Sequence, residues 1–224
     1  MEKIRVLLAD DHMMVRQGLR VLLEAEEDIA VVGECETGRQ AVQMTKKLLP
    51  SVVVMDIAMP MLNGLEATRQ IVREIPTAKI LILSAYNDGE YVQQATEVGA
   101  SGYLLKQTAS EDLINAVRET KKGNAFFSPA ISKRILDQCR EALLKGAPVV
   151  RKKDYLTERE AEVLQLIAEG APNKQIASHL DLSIKTVEKH RQQMMNKLNI
   201  HDIAGLTRYA IANGVIESKV ALQT

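Results

Sequence analysis

Five polar residues stand at the ends of short segments rich in Val, Ile and Leu. They bring three carboxylates, one hydroxyl and one ammonium group: Asp10, Asp11, Asp56, Ser84 and Lys106. Close carboxylates repel one another and raise one another's pKa values, and a divalent cation relieves that repulsion. Mg2+ prefers carboxylate and carbonyl oxygens together with water. Brought together, these residue types predict a site for Mg2+.

A phosphoryl group is the substrate that suits this set. Beside Mg2+, the Asp56 carboxylate would attack phosphorus and form an acyl phosphate. Lys106 would neutralise the phosphoryl oxygens, and Ser84 would donate a hydrogen bond to one of them. A single aspartate after a strand is more often a turn or capping residue. The joint occurrence of all five polar residues at successive segment ends favours the functional interpretation.

The segments that carry these residues alternate with longer amphipathic ones. The apolar segments are typical of strands buried on both faces of a sheet, at residues 4–9, 30–34, 52–55, 80–83 and 102–105. The amphipathic segments have helical spacing, at residues 14–26, 38–48, 64–74, 89–99 and 110–120. The alternation predicts a doubly wound α/β domain with a five-stranded parallel sheet. Ligands of such sheets bind beyond the carboxyl ends of the strands.

Charge divides the chain of 224 residues into three parts. Residues 1–120 carry 12 Lys and Arg against 18 Asp and Glu, residues 121–153 carry 9 against 2, and residues 154–224 carry 8 against 9. We therefore expect two domains joined by a basic linker. No apolar run approaches the roughly 18 residues of a membrane span, and Met1 leads into the first strand pattern without a signal peptide. A cytoplasmic protein is expected.

The linker contains an amphipathic stretch that begins at Ser128-Pro129, a good helix start. Residues 146–153 are expected to form a flexible tether, whose basic run at 151–153 either approaches DNA phosphates or is simply solvated.

Cys35 and Cys139 share no metal-binding or redox spacing and are expected to be packing residues. The histidines show no metal-ligand spacing, and a surface or capping role is expected for His12, His179 and His201.

Residues 156–202 predict three helices in a helix-turn-helix arrangement. Thr157 and Glu160 form a capping box, Asn173 is expected to cap the second helix and Ser183 the third. The third helix has a packing stripe of Ile184, Val187, Met194 and Leu198. Its opposite face carries Lys185, Glu188, Lys189, Gln192 and Asn196, which on a lone helix would be a solvated surface; in second place in a helix-turn-helix this face would enter the major groove, where Lys and Gln can read base edges. Phosphate contacts are expected from Thr186, His190 and Arg191.

Residues 1–122 resemble the receiver domain of two-component response regulators in the motifs LLADDH, VVMDIAMP, ILSAY and GYLLK. The resemblance implies a flavodoxin-like fold in which Asp56 accepts phosphate from a sensor histidine kinase. It implies Mg2+ ligands at Asp11, Asp56 and the backbone carbonyl of Ala58, with Asp10 in the outer shell. Tyr103 matches a switch aromatic, although an edge-strand packing residue is the alternative. Gln107 replaces the proline that many receivers carry after this lysine, and Ala58 and Tyr86 flank the path of attacking water.

A fourth helical segment at 202–214 completes a resemblance of residues 154–218 to the LuxR-type DNA-binding domain, carried by LTEREAEVL, NKQIA and TVEKHRQQMMNKL. In that family the fourth helix makes the dimer contact, which here implies Ile203, Leu206 and Ala210. Together the two domains are identified as the NarL/FixJ subfamily. The expected organisation is a receiver at 1–122, a linker at 123–153, the DNA-binding domain at 154–218 and a tail at 219–224.

The sequence therefore predicts a transcription factor that phosphorylation of Asp56 switches, not an enzyme. Its expected partners are double-stranded DNA, a histidine kinase, a second copy of the chain and RNA polymerase. One alternative is a phosphatase working through an aspartyl phosphate, but such hydrolases carry a second aspartate where Ala58 stands. Another is a DNA-binding regulator without phosphorylation, which the complete set of strand-end residues disfavours.

Overall fold

The computed structural model describes residues 3–85, 89–108, 110–129, 131–133, 135, 136, 140 and 156–216. The chain divides into two compact units, Met1–Arg151 and Lys152–Thr224. Several expectations lie outside the described residues, namely those for Tyr86, Cys139, the tether at 146–153 and the tail at 219–224. Among the helices within the described ranges, none is both long and apolar enough to cross a membrane.

The first unit is built on one parallel sheet. Its strands are β1 (Ile4–Ala9), β2 (Ile29–Cys35), β3 (Val52–Met55), β4 (Lys79–Ser84), β5 (Gly102–Leu105) and β6 (Phe126–Phe127). They lie in the order β2-β1-β3-β4-β5-β6. The expected count of five strands is thus wrong by one, because Phe126–Phe127 pairs with the outer edge of β5. Two residues are too short to show any strand periodicity in the sequence.

Helices cover both faces of this sheet. They are α1 (Met13–Glu24), α2 (Gly38–Leu48), α3 (Gly64–Glu74), α4 (Gly89–Glu97) and α5 (Ser110–Lys122). Alternate residues of each strand join one of two buried apolar clusters. Ile71 of α3 and Val92 of α4 belong to one cluster, and Leu23 of α1 and Val117 of α5 belong to the other. This confirms the doubly wound α/β architecture.

Local capping accounts for where α2 and α3 begin. The Thr37 side chain accepts a hydrogen bond from the Gln40 backbone, and the Asn63 side chain accepts one from the Glu66 backbone.

Cys35 is buried at the end of β2, as expected of a packing residue, and burial raises the pKa of its thiol to about 12. Helical residues also follow β6 at 129, 131–133, 135, 136 and 140, and among them Ile131 is buried and Leu136 is exposed.

The second unit consists of α6 (Glu158–Ala168), α7 (Asn173–Leu180), α8 (Ile184–Leu198) and α9 (Ile203–Ala212). The capping box of Thr157 and Glu160 and the Ser183 cap are present as expected. The expected cap at Asn173 is wrong, since Pro172 occupies the N-cap position and Asn173 is already helical. Proline fits this place because it fixes φ and its missing N–H is not needed there.

An ion pair between an exposed lysine and a buried glutamate joins the first and third helices of this unit. The Lys197 ammonium lies 2.7 Å from the Glu160 carboxylate, which is 3 % exposed. Burial works to raise the pKa of Glu160, but the hydrogen bonds from Lys197 and the Thr157 backbone outweigh it and lower this pKa overall. Glu160 therefore caps α6 and anchors the last turn of α8 at the same time.

Candidate functional site

Strand register places the polar residues of the first unit side by side. Ala9 of β1 pairs with Met55 of β3, so the next residues, Asp10 and Asp56, leave the sheet at the same edge. The Asp56 backbone N–H donates to the Ala9 carbonyl at 2.8 Å. On the other side, Ser84 of β4 pairs with Leu105 of β5, and the Lys106 backbone N–H donates to the Ser84 carbonyl at 2.8 Å. All four expected strand ends therefore converge.

Lys106 bridges two buried carboxylates. Its Nζ lies 2.8 Å from Asp56 Oδ2 and 2.7 Å from Asp10 Oδ2. The Asp10 and Asp56 side chains are 3 % and 4 % exposed. The other oxygen of Asp56, Oδ1, accepts a hydrogen bond from the Ile57 backbone at 2.8 Å. These contacts fix the orientation of the Asp56 carboxylate.

Burial and charge shift the pKa values of this pair. Burial raises the pKa of Asp56 to about 6, although Lys106 works in the opposite direction and Asp10 adds to the rise. For Lys106, burial alone would lower the pKa, but the neighbouring carboxylates of Asp56 and Asp10 outweigh it and raise its pKa. The ammonium stays charged at neutral pH, while Asp56 gains a proton more readily than an exposed aspartate does.

The acidic residues also form a candidate cation site. Asp10, Asp11, His12 and Asp56 each offer a ligand atom, and these atoms lie within 4.8 Å of one another. The Lys106 ammonium pairs with Asp10 and Asp56, and close carboxylates in a group of this kind favour a divalent cation. The residues present therefore fit Mg2+, a cation that favours oxygen ligands.

His12 belongs to this cluster, which the sequence did not indicate. It occupies the N-cap position of α1, but its side chain makes no capping hydrogen bond. Instead, its Nδ1 atom lies 2.7 Å from Asp11 Oδ1 and 3.4 Å from Asp10 Oδ1. The expectation of a surface or capping histidine is therefore incomplete. Its position directly after two aspartates was the available signal.

Two further residues shape the site without having been singled out by sequence. Arg16 is buried, and its guanidinium donates to the Asp10 backbone carbonyl at 2.6 Å and to the Glu36 carboxylate at 2.5 Å. Gly64 packs on Asp56, where a Cβ would overlap the Asp56 carbonyl oxygen. The buried position of Arg16 and the packing of Gly64 depend on tertiary contacts that one sequence does not reveal.

The remaining expected residues of this site occupy different environments. Ser84 is fully buried at the end of β4, and Ala58 is partly exposed in the loop after β3. Tyr103 is fully buried in the apolar cluster on the α3 and α4 side of the sheet. The Gln107 side chain is exposed. Ser84 and Tyr103 therefore lie on neighbouring strands, with Ser84 nearer the carboxylates.

The third helix of the second unit presents a polar face to solvent. Its exposed residues include Lys185, Glu188, Lys189, Gln192 and Asn196. Thr186, His190 and Arg191 are partly buried. The Thr186 and Ser183 hydroxyl groups lie 2.8 Å apart, and Arg191 donates to the Asn173 side chain at 3.4 Å. Ile184 was expected in the packing stripe but is 46 % exposed, so the buried part of the stripe begins at Val187.

The expected dimer contacts need correction. Leu206 and Ala210 are fully buried in their own domain and cannot reach a second copy in this structure, since α9 packs this stripe toward α6. Ile203 is 53 % exposed and Ile211 is 37 % exposed. These two residues lie two helical turns apart on one face, with Thr207 between them. The exposed stripe of α9 is therefore formed by the apolar side chains of Ile203 and Ile211, with the partly buried Thr207 between them.

Comparison with known families identifies both units. Residues 6–118 match the family described as "Response regulator receiver domain", and residues 154–210 match "Bacterial regulatory proteins, luxR family". The chain is 38 % identical to the transcriptional regulatory protein LiaR of Bacillus subtilis, over 95 % of this chain and 99 % of LiaR. It is 37 % identical to the response regulator protein VraR of Staphylococcus aureus, over 96 % of this chain and 99 % of VraR.

Solved structures of similar proteins span both units. RcsB from Salmonella enterica serovar Typhimurium, bound to promoter P1flhDC in the presence of the phosphomimetic BeF3-, is 29 % identical with a TM-score of 0.59, over 96 % of this chain and 100 % of RcsB. The response regulator ChrA of a heme-sensing two-component system is 32 % identical with a TM-score of 0.53, over 96 % of this chain and 100 % of ChrA.

Proposed function

The chain belongs to the NarL/FixJ subfamily of two-component response regulators, and we propose that phosphorylation of Asp56 controls where and when it binds DNA. As a member, it is a transcriptional regulator that joins a receiver domain to a LuxR-type DNA-binding domain. We propose domain bounds of 1–122 and 154–218, with a linker at 123–153. The observation that carries the proposal is the convergence of Asp10, Asp56 and Lys106 at one edge of the sheet.

Asp56 is the residue that would accept the phosphoryl group. One of its carboxylate oxygens would attack phosphorus in a phosphohistidine of the sensor kinase, and the P–N bond would break. Lys106, now 2.8 Å from Asp56 Oδ2, would then pair with a phosphoryl oxygen. The Ser84 hydroxyl would donate to another, which draws the end of β4 toward the site. Tyr103 is proposed to follow this movement and to change the surface near β4 and β5.

Mg2+ is the proposed cofactor. Asp11, Asp56 and the backbone carbonyl of Ala58 would hold the ion, with Asp10 in its outer shell. A bound Mg2+ would neutralise the carboxylates and the phosphoryl oxygens, which is the usual role of this ion in phosphoryl transfer. Asp10 also keeps Lys106 in place, since it lies 2.7 Å from the ammonium.

The aspartyl phosphate is proposed to hydrolyse slowly. Ala58 stands two residues after Asp56, where it offers no acid or base to activate water. General acid–base groups contribute about 100-fold to 10,000-fold to such reactions. A long-lived phosphorylated state suits a regulator, and it separates this chain from phosphatases that turn over an aspartyl phosphate.

The polar face of α8 is the proposed DNA contact. Lys185, Glu188, Lys189, Gln192 and Asn196 would face base edges in the major groove, and Thr186, His190 and Arg191 would contact phosphates. A dimer through the exposed stripe of α9 would bind two half-sites roughly one helical turn, about 34 Å, apart. RcsB, a similar protein, was solved bound to a promoter with the phosphomimetic present. RNA polymerase is proposed as the further partner.

The test is selection of bound fragments from the host genome with and without Mg2+ and beryllofluoride. Sequence repeats should be enriched only when the phosphoryl mimic is present. The Asp56→Ala variant should show the basal pattern under both conditions and should take up no phosphate. Equal enrichment of the same repeats in wild type under both conditions would show that the receiver does not control DNA binding.

A further inference from the structure

We infer that a linker strap, formed by β6 with Ser128 and Ile131, holds β5 and Tyr103 in the position seen in this structure, so that phosphorylation of Asp56 and undocking of the strap are coupled. The inference rests on the proposed function, because it assigns the element that the proposed change at Tyr103 acts on. It goes beyond that function by naming a contact within the chain that opposes the phosphorylated conformation. Undocking would change where the proposed linker leaves the first unit.

Long hydrogen bonds attach the strap to the outer edge of β5. Tyr103 of β5 pairs with Phe127 of β6. The Phe126 N–H donates to the Ser101 carbonyl at 3.3 Å, and the Ser128 N–H donates to the Tyr103 carbonyl at 3.4 Å. Both distances exceed the usual range of about 2.7–3.2 Å. The backbone pairing of the strap is therefore weak enough to open while the rest of the sheet stays intact.

Gly102 leaves room for the strap beside β5. A Cβ at this position would lie 2.5 Å from the Phe126 carbonyl oxygen, and 2.9 Å from a methyl carbon at the end of the Leu81 side chain. The Leu81 methyl group can turn away, but the Phe126 carbonyl belongs to the backbone of the strap. Gly102 does not have a positive φ. Space for the docked strap, and not backbone conformation, therefore requires glycine here.

The strap also enters the apolar cluster that contains Tyr103. Ile131 is fully buried in this cluster, together with Tyr103 and Val92 of α4. Phe127 packs against the same cluster, whereas Phe126 packs against the cluster on the other face of the sheet. Protein interiors contain few voids, so a movement of Tyr103 displaces side chains of its cluster. The strap therefore opposes this movement while Ile131 remains docked.

The strand β5 links the strap to the proposed phosphorylation site. Ser84 of β4 pairs with Leu105 of β5, and the Lys106 backbone N–H donates to the Ser84 carbonyl at 2.8 Å. A phosphoryl group that draws Ser84 and Lys106 inward therefore acts on the carboxyl end of β5, whose outer edge carries the strap. Coupling between two such sites is reciprocal. Weakening the strap should therefore strengthen binding of a phosphoryl mimic at Asp56.

Amide hydrogen exchange of the full chain, followed by NMR with and without Mg2+ and beryllofluoride, tests the coupling in wild type. The Phe126 and Ser128 amides should exchange at least about fivefold faster with the mimic bound. The control is the Ser51 amide, which donates to the Arg5 carbonyl at 2.8 Å at the amino end of β3 and should not respond. If calorimetry shows that beryllofluoride binds and the strap amides exchange no faster, the inference is wrong.

Two substitutions weaken the strap away from the phosphorylation site. Gly102→Ala places a methyl group against the Phe126 carbonyl, and Ile131→Ala removes buried contacts. Each should raise the affinity for beryllofluoride by at least about fivefold and increase DNA binding without the mimic. The matched control is Ile29→Ala, which removes a buried side chain of β2 from the other cluster and should change neither property.

The remaining outcomes separate the strap from the proposed function. Unchanged affinity in both strap variants, or an equal rise in Ile29→Ala, would overturn the role of the strap alone. Failure of wild type to bind beryllofluoride would contradict the proposed function, and the coupling would fall with it.

Discussion

Gly64, the first residue of α3, packs directly on the backbone of Asp56. A Cβ at position 64 would overlap the Asp56 carbonyl oxygen. The Gly64 N–H also donates to the Ile57 carbonyl at 2.8 Å. The start of α3 therefore constrains the backbone of the proposed phosphoacceptor and of the residue that follows it, and glycine is required there for its size.

Replacing this glycine should damage the site. Gly64→Ala should destabilise the protein by about 1–3 kcal/mol, because the backbone of Asp56 or the start of α3 must move. Beryllofluoride binding should weaken more than a loss of stability alone explains. The matched control is Gly18→Ala in α1, where a Cβ meets nothing within 4 Å. That change should stabilise the helix by about 0.5–1 kcal/mol. Urea unfolding would measure the change in stability, and beryllofluoride titration would measure the change in binding at the site.

The raised pKa of Asp56 makes the stability of the metal-free protein depend on pH. Burial raises this pKa to about 6 from the ordinary 3.8. The folded protein then binds the proton more tightly than the unfolded chain, so stability falls as pH rises between those two values. Since one pKa unit is worth about 1.4 kcal/mol, Asp56→Asn should be more stable than wild type by up to about 3 kcal/mol at neutral pH. Below about pH 4 this difference should vanish.

Urea unfolding of both proteins across this pH range, in the presence of a chelator, would measure the effect. Only the difference between wild type and Asp56→Asn is informative, since other carboxyl groups titrate in the same range. If the difference in the free energy of unfolding stays constant with pH, ionisation of Asp56 does not destabilise the folded protein.

Mg2+ should stabilise the folded protein. At about 100 times its dissociation constant, an ion that binds only the folded state adds about 2.7 kcal/mol. Asp11→Asn should lose most of this gain, because it removes a proposed ligand. Asp112→Asn alters an exposed aspartate of α5 and should respond to Mg2+ as wild type does. Thermal unfolding with Mg2+ or with a chelator would measure the stabilisation in each variant. If Mg2+ stabilises Asp11→Asn as much as wild type, Asp11 is not a ligand.

Two lysines of α8 should behave in opposite ways. Lys189 is exposed on the proposed DNA face, and Lys189→Ala should weaken DNA binding by about 1–3 kcal/mol without loss of stability. Lys197 pairs with the buried Glu160 carboxylate. Lys197→Ala should destabilise the second unit, because a buried carboxylate loses its partner. Fluorescence anisotropy on the selected operator would measure DNA binding, and thermal unfolding would measure stability, for both variants. A Lys197→Ala protein as stable as wild type would argue against the structural role of the Lys197–Glu160 pair.

The exposed stripe of α9 should mediate the dimer. Ile203→Asp should reduce binding to a two-half-site operator far more than binding to one half-site, because a charge would be buried at the contact. Leu49→Asp, at an exposed apolar residue of the first unit, is the control. Analytical ultracentrifugation with beryllofluoride would report the dimer. If Ile203→Asp dimerises like wild type, the contact lies elsewhere.

The sequence predicted the strand-end residues because their placement depends on local pattern and on a general property of parallel sheets. Asp10, Asp56 and Lys106 each follow an apolar strand, Ser84 is the last residue of one, and parallel strands end at one edge. The approach of His12 to Asp11 and the burial of Arg16 were not predictable in this way, since both depend on how the loop after β1 folds back.

The errors have the same origin in tertiary contacts. β6 has two residues, and its strand conformation exists through pairing with β5. In α9, two apolar stripes share the same spacing, and packing on α6 decided that Leu206 and Ala210 face inward while Ile203 faces outward. Helical periodicity shows that a helix is amphipathic, but it does not choose between two apolar faces.

The register that pairs Ala9 with Met55 also limits how this gene can change in length. Loss of one codon from β1 or β3 would shift the following aspartate by about 3.3 Å and turn neighbouring side chains to the wrong face of the sheet. Codons gained in the turns at the opposite edge, near residues 25–28, 49–51 and 75–78, leave the paired aspartates untouched. Among descendants of a shared ancestral gene, insertions and deletions should therefore collect in those turns and spare residues 4–10 and 52–56.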